Sequence, residues 1–109
     1  MGRAEGLHEK RLMTASEIAC HLLECCEYLV HFESYMFGST LSGIGQDIDI
    51  LVVGPGGGAL YQLKKEMKLA GVDLPLHILY MQPSEVRHTN FVVKEKCVPL
   101  VKLALLARS

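Results

Sequence analysis

The chain has no surplus of positive charge. Eleven lysines and arginines face twelve aspartates and glutamates, a formal net charge of -1, so there is no basic field of the kind that draws in nucleic acid. No apolar run approaches the roughly 20 residues of a membrane-spanning helix. The first twelve residues, MGRAEGLHEKRL, are too polar to resemble a signal peptide and read as a loose arm. Internal repeats are absent. A disulfide or zinc framework is missing too, although there are four cysteines, Cys20, Cys25, Cys26 and Cys97. Cys25 and Cys26 are neighbours on a predicted helix, where adjacent side chains diverge. His21 adds no C-x2-C or H-x3-H spacing. Buried free thiols behave as small hydrophobes, and this usage points to a reducing, cytoplasmic compartment.

What remains is enough for one domain. Half of the 109 residues are hydrophobic, and a chain of this size buries roughly 60–70% of its unfolded surface on folding. Residues 13–109 are read as that domain. Thr14 to Glu17 spell a capping box that opens a helix to about Tyr28, with Ile18, Leu22, Cys26 and Leu29 on one stripe. A strand follows near Ser34–Phe37, and a second covers about Asp47–Val53. Gly54-Pro55-Gly56-Gly57-Gly58 leads into a helix from about Ala59 to Ala70, with Leu60, Leu63, Met67 and Ala70 inward and Lys64 and Lys68 on a basic ridge. Gly71 is placed to cap it. A third strand is expected at Leu76–Met81, then a helix start at Pro83-Ser84-Glu85 with Ser84 as cap. Beyond Asn90 helix and strand are both open, Pro99 arguing only against a central strand. This order predicts an α/β (α+β) domain, a small mixed sheet flanked by helices.

The stretch Phe37–Val53, FGSTLSGIGQDIDILVV, carries the chemistry. Asp47 and Asp49 lie two positions apart in an aliphatic strand, so both carboxylates face one way while Ile48, Ile50 and Val52 face the core. Two like charges on one face repel, and a divalent cation between them would remove that penalty. The glycine-spaced loop before them could admit phosphates. The run Gly54–Gly58 lacks the Lys-Ser/Thr ending of a P-loop and reads as a connector.

Gly38, Ser39, Gly43, Asp47 and Asp49, with the apolar strands on either side, resemble the motif of the polymerase-beta-like nucleotidyltransferase superfamily. The closest likeness is to its minimal, single-domain members. The resemblance implies a nucleotidyltransferase-like fold. It also implies a nucleoside triphosphate, ATP by family habit, and transfer of its nucleoside monophosphate to a hydroxyl on a protein or small molecule. Asp47 and Asp49 would hold magnesium, in a two-metal site if the protein is active. Gly38, Ser39 and Gly43 would take the phosphates, and a helical segment after Ser39 would add a field that favours anions. Acceptor recognition would fall to a HEPN-type partner or to a homodimer.

Members of the superfamily usually add a third carboxylate on a later strand. Here that strand, Leu76–Met81, has no acid, and His77 stands at or beside the expected place. Asp73 and Glu85 are the nearest acids. The family's frequent arginine after Gly-Ser is replaced by Thr40 and Leu41. His77 therefore has two readings, a catalytic base and a half-buried sheet histidine. Arg87 is a candidate phosphate contact. The whole chain likewise has two, an enzyme and a binding or regulatory module that has lost the third acid.

Overall fold

In a computed structural model of the chain, residues 13–42 and 47–107 are described. The arm expected at residues 1–12 and the glycine Gly43 lie outside them. The elements in order are α1 (Ala15–Cys25), a 3-10 turn (Glu27–His31), β1 (Glu33–Phe37), a second 3-10 turn (Ser39–Ser42), β2 (Ile48–Val53), α2 (Gly58–Ala70), β3 (Leu76–Met81), α3 (Pro83–Thr89), α4 (Phe91–Lys94), β4 (Val98–Pro99) and α5 (Leu100–Ala107). The strands form one sheet in the order β3-β2-β1-β4. β1 pairs antiparallel with β2 and with β4, whereas β2 and β3, joined through α2, run parallel. The mixed α+β class expected from the sequence is the one observed.

Local chemistry sets the boundaries. The capping box is present: the Glu17 N–H donates to Thr14 Oγ1 at 3.1 Å and the Thr14 N–H to Glu17 Oε1 at 2.8 Å. α1 stops at Cys25, short of the expected Tyr28, for a reason visible in α2. The N–H groups of Glu27 and Tyr28 donate to the two carboxylate oxygens of Glu66, at 3.0 and 2.9 Å. They are drawn away from the carbonyls one turn back, and the chain tightens into a 3-10 turn. The expected stripe survives the change, and Ile18, Leu22, Cys26 and Leu29 are all buried.

The α3 start differs as well. Gln82, not Ser84, holds the N-cap position, and the Gln82 N–H donates to Glu85 Oε1 at 2.8 Å. Pro83, which lacks an N–H, fits the first turn. Asn90, at φ 55°, separates α3 from α4. Gly71 caps α2 as expected but with a right-handed backbone, φ -70°. Val101–Leu106, open to either assignment in the sequence, is helical, and Pro99 sits in a two-residue edge strand.

The main core lies between the sheet and the three helices α1, α2 and α5. It joins Leu22 of α1, Met36 of β1, Ile50 of β2, Leu63 and Met67 of α2, and Leu100 of α5, all fully buried. Ile48, Ile50 and Val52 point into it, as the alternation requires. Leu51 and Val53, on the opposite face with Asp49, are also buried. That second face is partly roofed by the segment after β3. It returns from Met81 through α3 to Phe91, whose ring meets Phe37 edge-on with centroids 5.2 Å apart.

Candidate functional site

The candidate residues meet on the second face of the sheet because of strand register. Phe37 of β1 is opposite Asp49 of β2, and Asp49 is opposite His77 of β3. Residues opposite one another share a face in both antiparallel and parallel pairs. The three side chains therefore form a row across three strands. The antiparallel β1–β2 pair brings the end of β1, where Gly38 and Ser39 follow, to the start of β2, where Asp47 and Asp49 lie. The parallel β2–β3 pair adds the start of β3. Five of the residues singled out in the sequence thus converge on one end of the sheet: Gly38, Ser39, Asp47, Asp49 and His77.

Gly38 has φ +85°, a left-handed conformation that side-chain-bearing residues rarely adopt. A Cβ there would collide with Asp49 Oδ2. The backbone at Gly38 thus lies directly against one oxygen of the carboxylate. The other, Oδ1, meets His77 Nδ1 at 3.2 Å. The Asp49 side chain is 24% exposed and the His77 side chain 80% exposed. His77 is therefore a solvent-facing residue, which corrects the half-buried reading. An edge strand with no neighbour beyond it among the described residues leaves the ring open on that side.

Asp47 is exposed and lies one residue before β2 rather than within it. Its carbonyl accepts a hydrogen bond from the Thr40 hydroxyl at 2.9 Å. That bond ties the turn after Ser39 to the approach to β2, and no sequence pattern announced it. The Ser39 segment is helical only as a four-residue 3-10 turn. It offers backbone N–H groups but not the summed dipole of a long helix.

Other expectations fall apart from this cluster. Arg87 is exposed on α3 and has no ion pair among the described residues. Glu85 is engaged at the far end of β3, where it caps α3. Asp73 lies in the turn before β3, at the near end, with its N–H donating to the Ala70 carbonyl at 3.3 Å. Among the described residues no three of His, Cys, Asp or Glu gather as a metal-holding group, so neither acid joins the pair. Directly across from Asp49, β3 supplies an imidazole.

Asp47 and Asp49 are hard oxygen donors of the kind magnesium takes one or two at a time, with phosphate oxygens completing the shell. The donor chemistry suits at most one hard divalent cation. The described residues do not supply the carboxylate set of a two-metal site.

The thiols sit elsewhere. Cys26, buried against Met67 Sδ at 3.5 Å, has its pKa pushed up to about 12, first by burial and then by the Cys25 thiol and the charge of Glu66. Cys97 is raised to about 11, chiefly by burial. Burial thus holds both thiols in the protonated form at neutral pH. No helix among the described residues is long and apolar enough to cross a membrane. No protein-family model matches the chain, and no curated protein matches it.

Proposed function

We propose that the chain binds a nucleoside triphosphate with magnesium at Gly38, Ser39, Asp47 and Asp49, and transfers its nucleoside monophosphate to a hydroxyl acceptor. The observation that supports this reading is the row across β1, β2 and β3. It sets a glycine backbone, a carboxylate and an imidazole side by side, next to a second, exposed carboxylate. ATP is the expected nucleotide, and the acceptor would be presented by a HEPN-type partner or by a second copy.

Each residue then has a part. Gly38 lets phosphate oxygens approach the main chain without a side chain in the way. Ser39 offers its hydroxyl and N–H to them. Asp47 and Asp49 would hold the cation, which when bound neutralises charge on the phosphates. Asp49 accepts from His77 Nδ1–H and so leaves Nε2 as the free, basic nitrogen. In the transfer the acceptor oxygen bonds to the α-phosphorus, the bond to the bridging oxygen breaks, and pyrophosphate departs. The acceptor's proton goes to His77 Nε2. Holding the reactants in line is where most of the gain in such reactions lies.

The test is a titration with ATP, with and without magnesium, followed by incubation with α-labelled ATP and candidate acceptors. Binding should require magnesium and weaken at least tenfold in Asp49→Asn, a change that keeps the contact with His77. His77→Gln should bind ATP as before and lose transfer. One observation favours a second reading, a binding module of the same fold: across from Asp49, β3 supplies an imidazole and no carboxylate. Magnesium-dependent binding with no transfer to any acceptor would select it. Binding indifferent to magnesium and to Asp49→Asn would sink both.

A further inference from the structure

The two edges of the sheet are built differently. β4 is two residues long and contains Pro99, the short, proline-bearing edge that resists pairing with other strands. β3 runs for six residues, Leu76–Met81, without a lysine, acid or proline, and pairs with β2 through an unbroken register. Within the strand itself, neither the charge nor the proline that usually guards an edge is present. Its direction of hydrogen bonding follows from two contacts. The Ile48 N–H donates to the Pro75 carbonyl at 3.0 Å and the Gly54 N–H to the Met81 carbonyl at 3.1 Å. Odd-numbered residues of β3 therefore face β2, and Leu76, Ile78 and Tyr80 turn their main-chain groups outward. The Leu76 N–H is taken by the Leu74 carbonyl at 2.8 Å, and the Gln82 N–H by Glu85. Among the described residues, Ile78 and Tyr80 are left with no partner for N–H or C=O.

We infer that β3 pairs antiparallel with β3 of a second copy of this chain, joining the two sheets into one of eight strands. A strand is the occupant because the open groups are a ladder of alternating donors and acceptors. A second copy is the occupant because the ladder is complementary to itself under a two-fold axis through Leu79. Ile78 then exchanges both bonds with Tyr80 of the other copy, and Tyr80 with its Ile78. Four bonds form and no donor of the strand is wasted. In the same register Leu79, a large apolar residue left 38% exposed, lies directly against its own counterpart. The pair is of the non-hydrogen-bonded kind, with the closer side chains. His77 lies opposite Met81, so no like charges oppose one another. Lys64, 4.9 Å from the Tyr80 ring, brings one positive charge from each copy to the border of the joined strands, so added salt should tighten the dimer.

The test is the association state across a wide concentration range, by sedimentation, for the full chain and for Leu79→Lys. Leu79 points away from the main core, so the variant should keep its circular dichroism and thermal transition. Its monomer–dimer midpoint should rise at least tenfold. Register is read by cross-linking in a background with the exposed Cys25 replaced by serine. Leu79→Cys should form a disulfide-linked dimer under mild oxidant, because its Cα atoms would be roughly 4.5 Å apart. His77→Cys should not. A chain that stays monomeric at every concentration overturns the inference and leaves the edge to a strand of another protein. A dimer indifferent to Leu79→Lys, or one that cross-links equally through either cysteine, overturns it as well.

Discussion

Replacing Gly38 by alanine tests how closely backbone and carboxylate are fitted at the site, and Gly57 provides the matched control. Both have positive φ, +85° and +115°. A residue with a Cβ pays about 1–3 kcal/mol for such a backbone. Alanine recovers roughly 0.4–1 kcal/mol by restricting the unfolded chain. Each variant should therefore lose on the order of 1–2 kcal/mol in urea denaturation, the difference of those two effects. The surroundings then separate them. At Gly57 an added Cβ meets nothing within 4 Å, whereas at Gly38 it strikes Asp49 Oδ2. Only Gly38→Ala must push the carboxylate aside and disturb the 3.2 Å contact with His77 Nδ1. Nitrogen NMR of the His77 ring reads that contact directly. The expected result is a changed Nδ1 signal in Gly38→Ala and an unchanged one in Gly57→Ala, with Gly38→Ala at least as costly in stability. Identical His77 spectra in the two variants, or a Gly38→Ala protein as stable as the parent, would refute the reasoning.

Glu66→Ala removes the acceptor of two main-chain N–H groups at the 3-10 turn. It should cost about 1.5–3 kcal/mol in denaturant unfolding, the range for hydrogen bonds to a charged group. Thr14→Ala breaks the capping box of α1 and should cost about 1 kcal/mol by the same measurement. Met36→Ala opens a hole where β1 meets the helices and should cost about 2–5 kcal/mol. Stability should also fall in alkali. The Cys26 thiol ionises near 9.0 when unfolded but near 12 when folded, burial being the main cause. Its contribution is thus whole below pH 9 and is lost as pH rises towards 12, because the unfolded chain sheds its proton first. Cys26→Ala should flatten that part of the pH–stability curve, and an equally steep curve would contradict the assignment.

What could be read in advance followed from short-range rules. The capping box at Thr14, the inward set Ile48, Ile50 and Val52, and the strand at Leu76–Met81 are consequences of local hydrogen bonding and period-two alternation. The spacing of Asp47 and Asp49 placed both acids near one end of β2. The misses came from contacts between distant segments. Nothing near Tyr28 signals that Glu66, almost forty positions away, will end α1 early. Pairing of Asp49 with His77 depends on the parallel register of β2 and β3, which a single sequence does not specify. Ser84 was the better capping residue by type, yet Gln82 stands where β3 ends and so takes the position. Asp47 seemed part of the strand because its neighbours are, but the Thr40 hydroxyl holds its carbonyl outside the ladder.

The site is assembled from pieces of very different reach along the chain, which has a bearing on how the molecule folds. Gly38 and Asp49 are brought together by the antiparallel β1–β2 pair, a connection of about a dozen residues that closes quickly. His77 arrives only when α2 has packed and β3 has entered beside β2, a non-local parallel pairing of the kind that forms slowly. The Asp49–His77 contact is therefore expected among the last to form in refolding. A His77 resonance at its native position marks a finished molecule, and a chain halted before that point would have its carboxylates in place and its imidazole still in search of them.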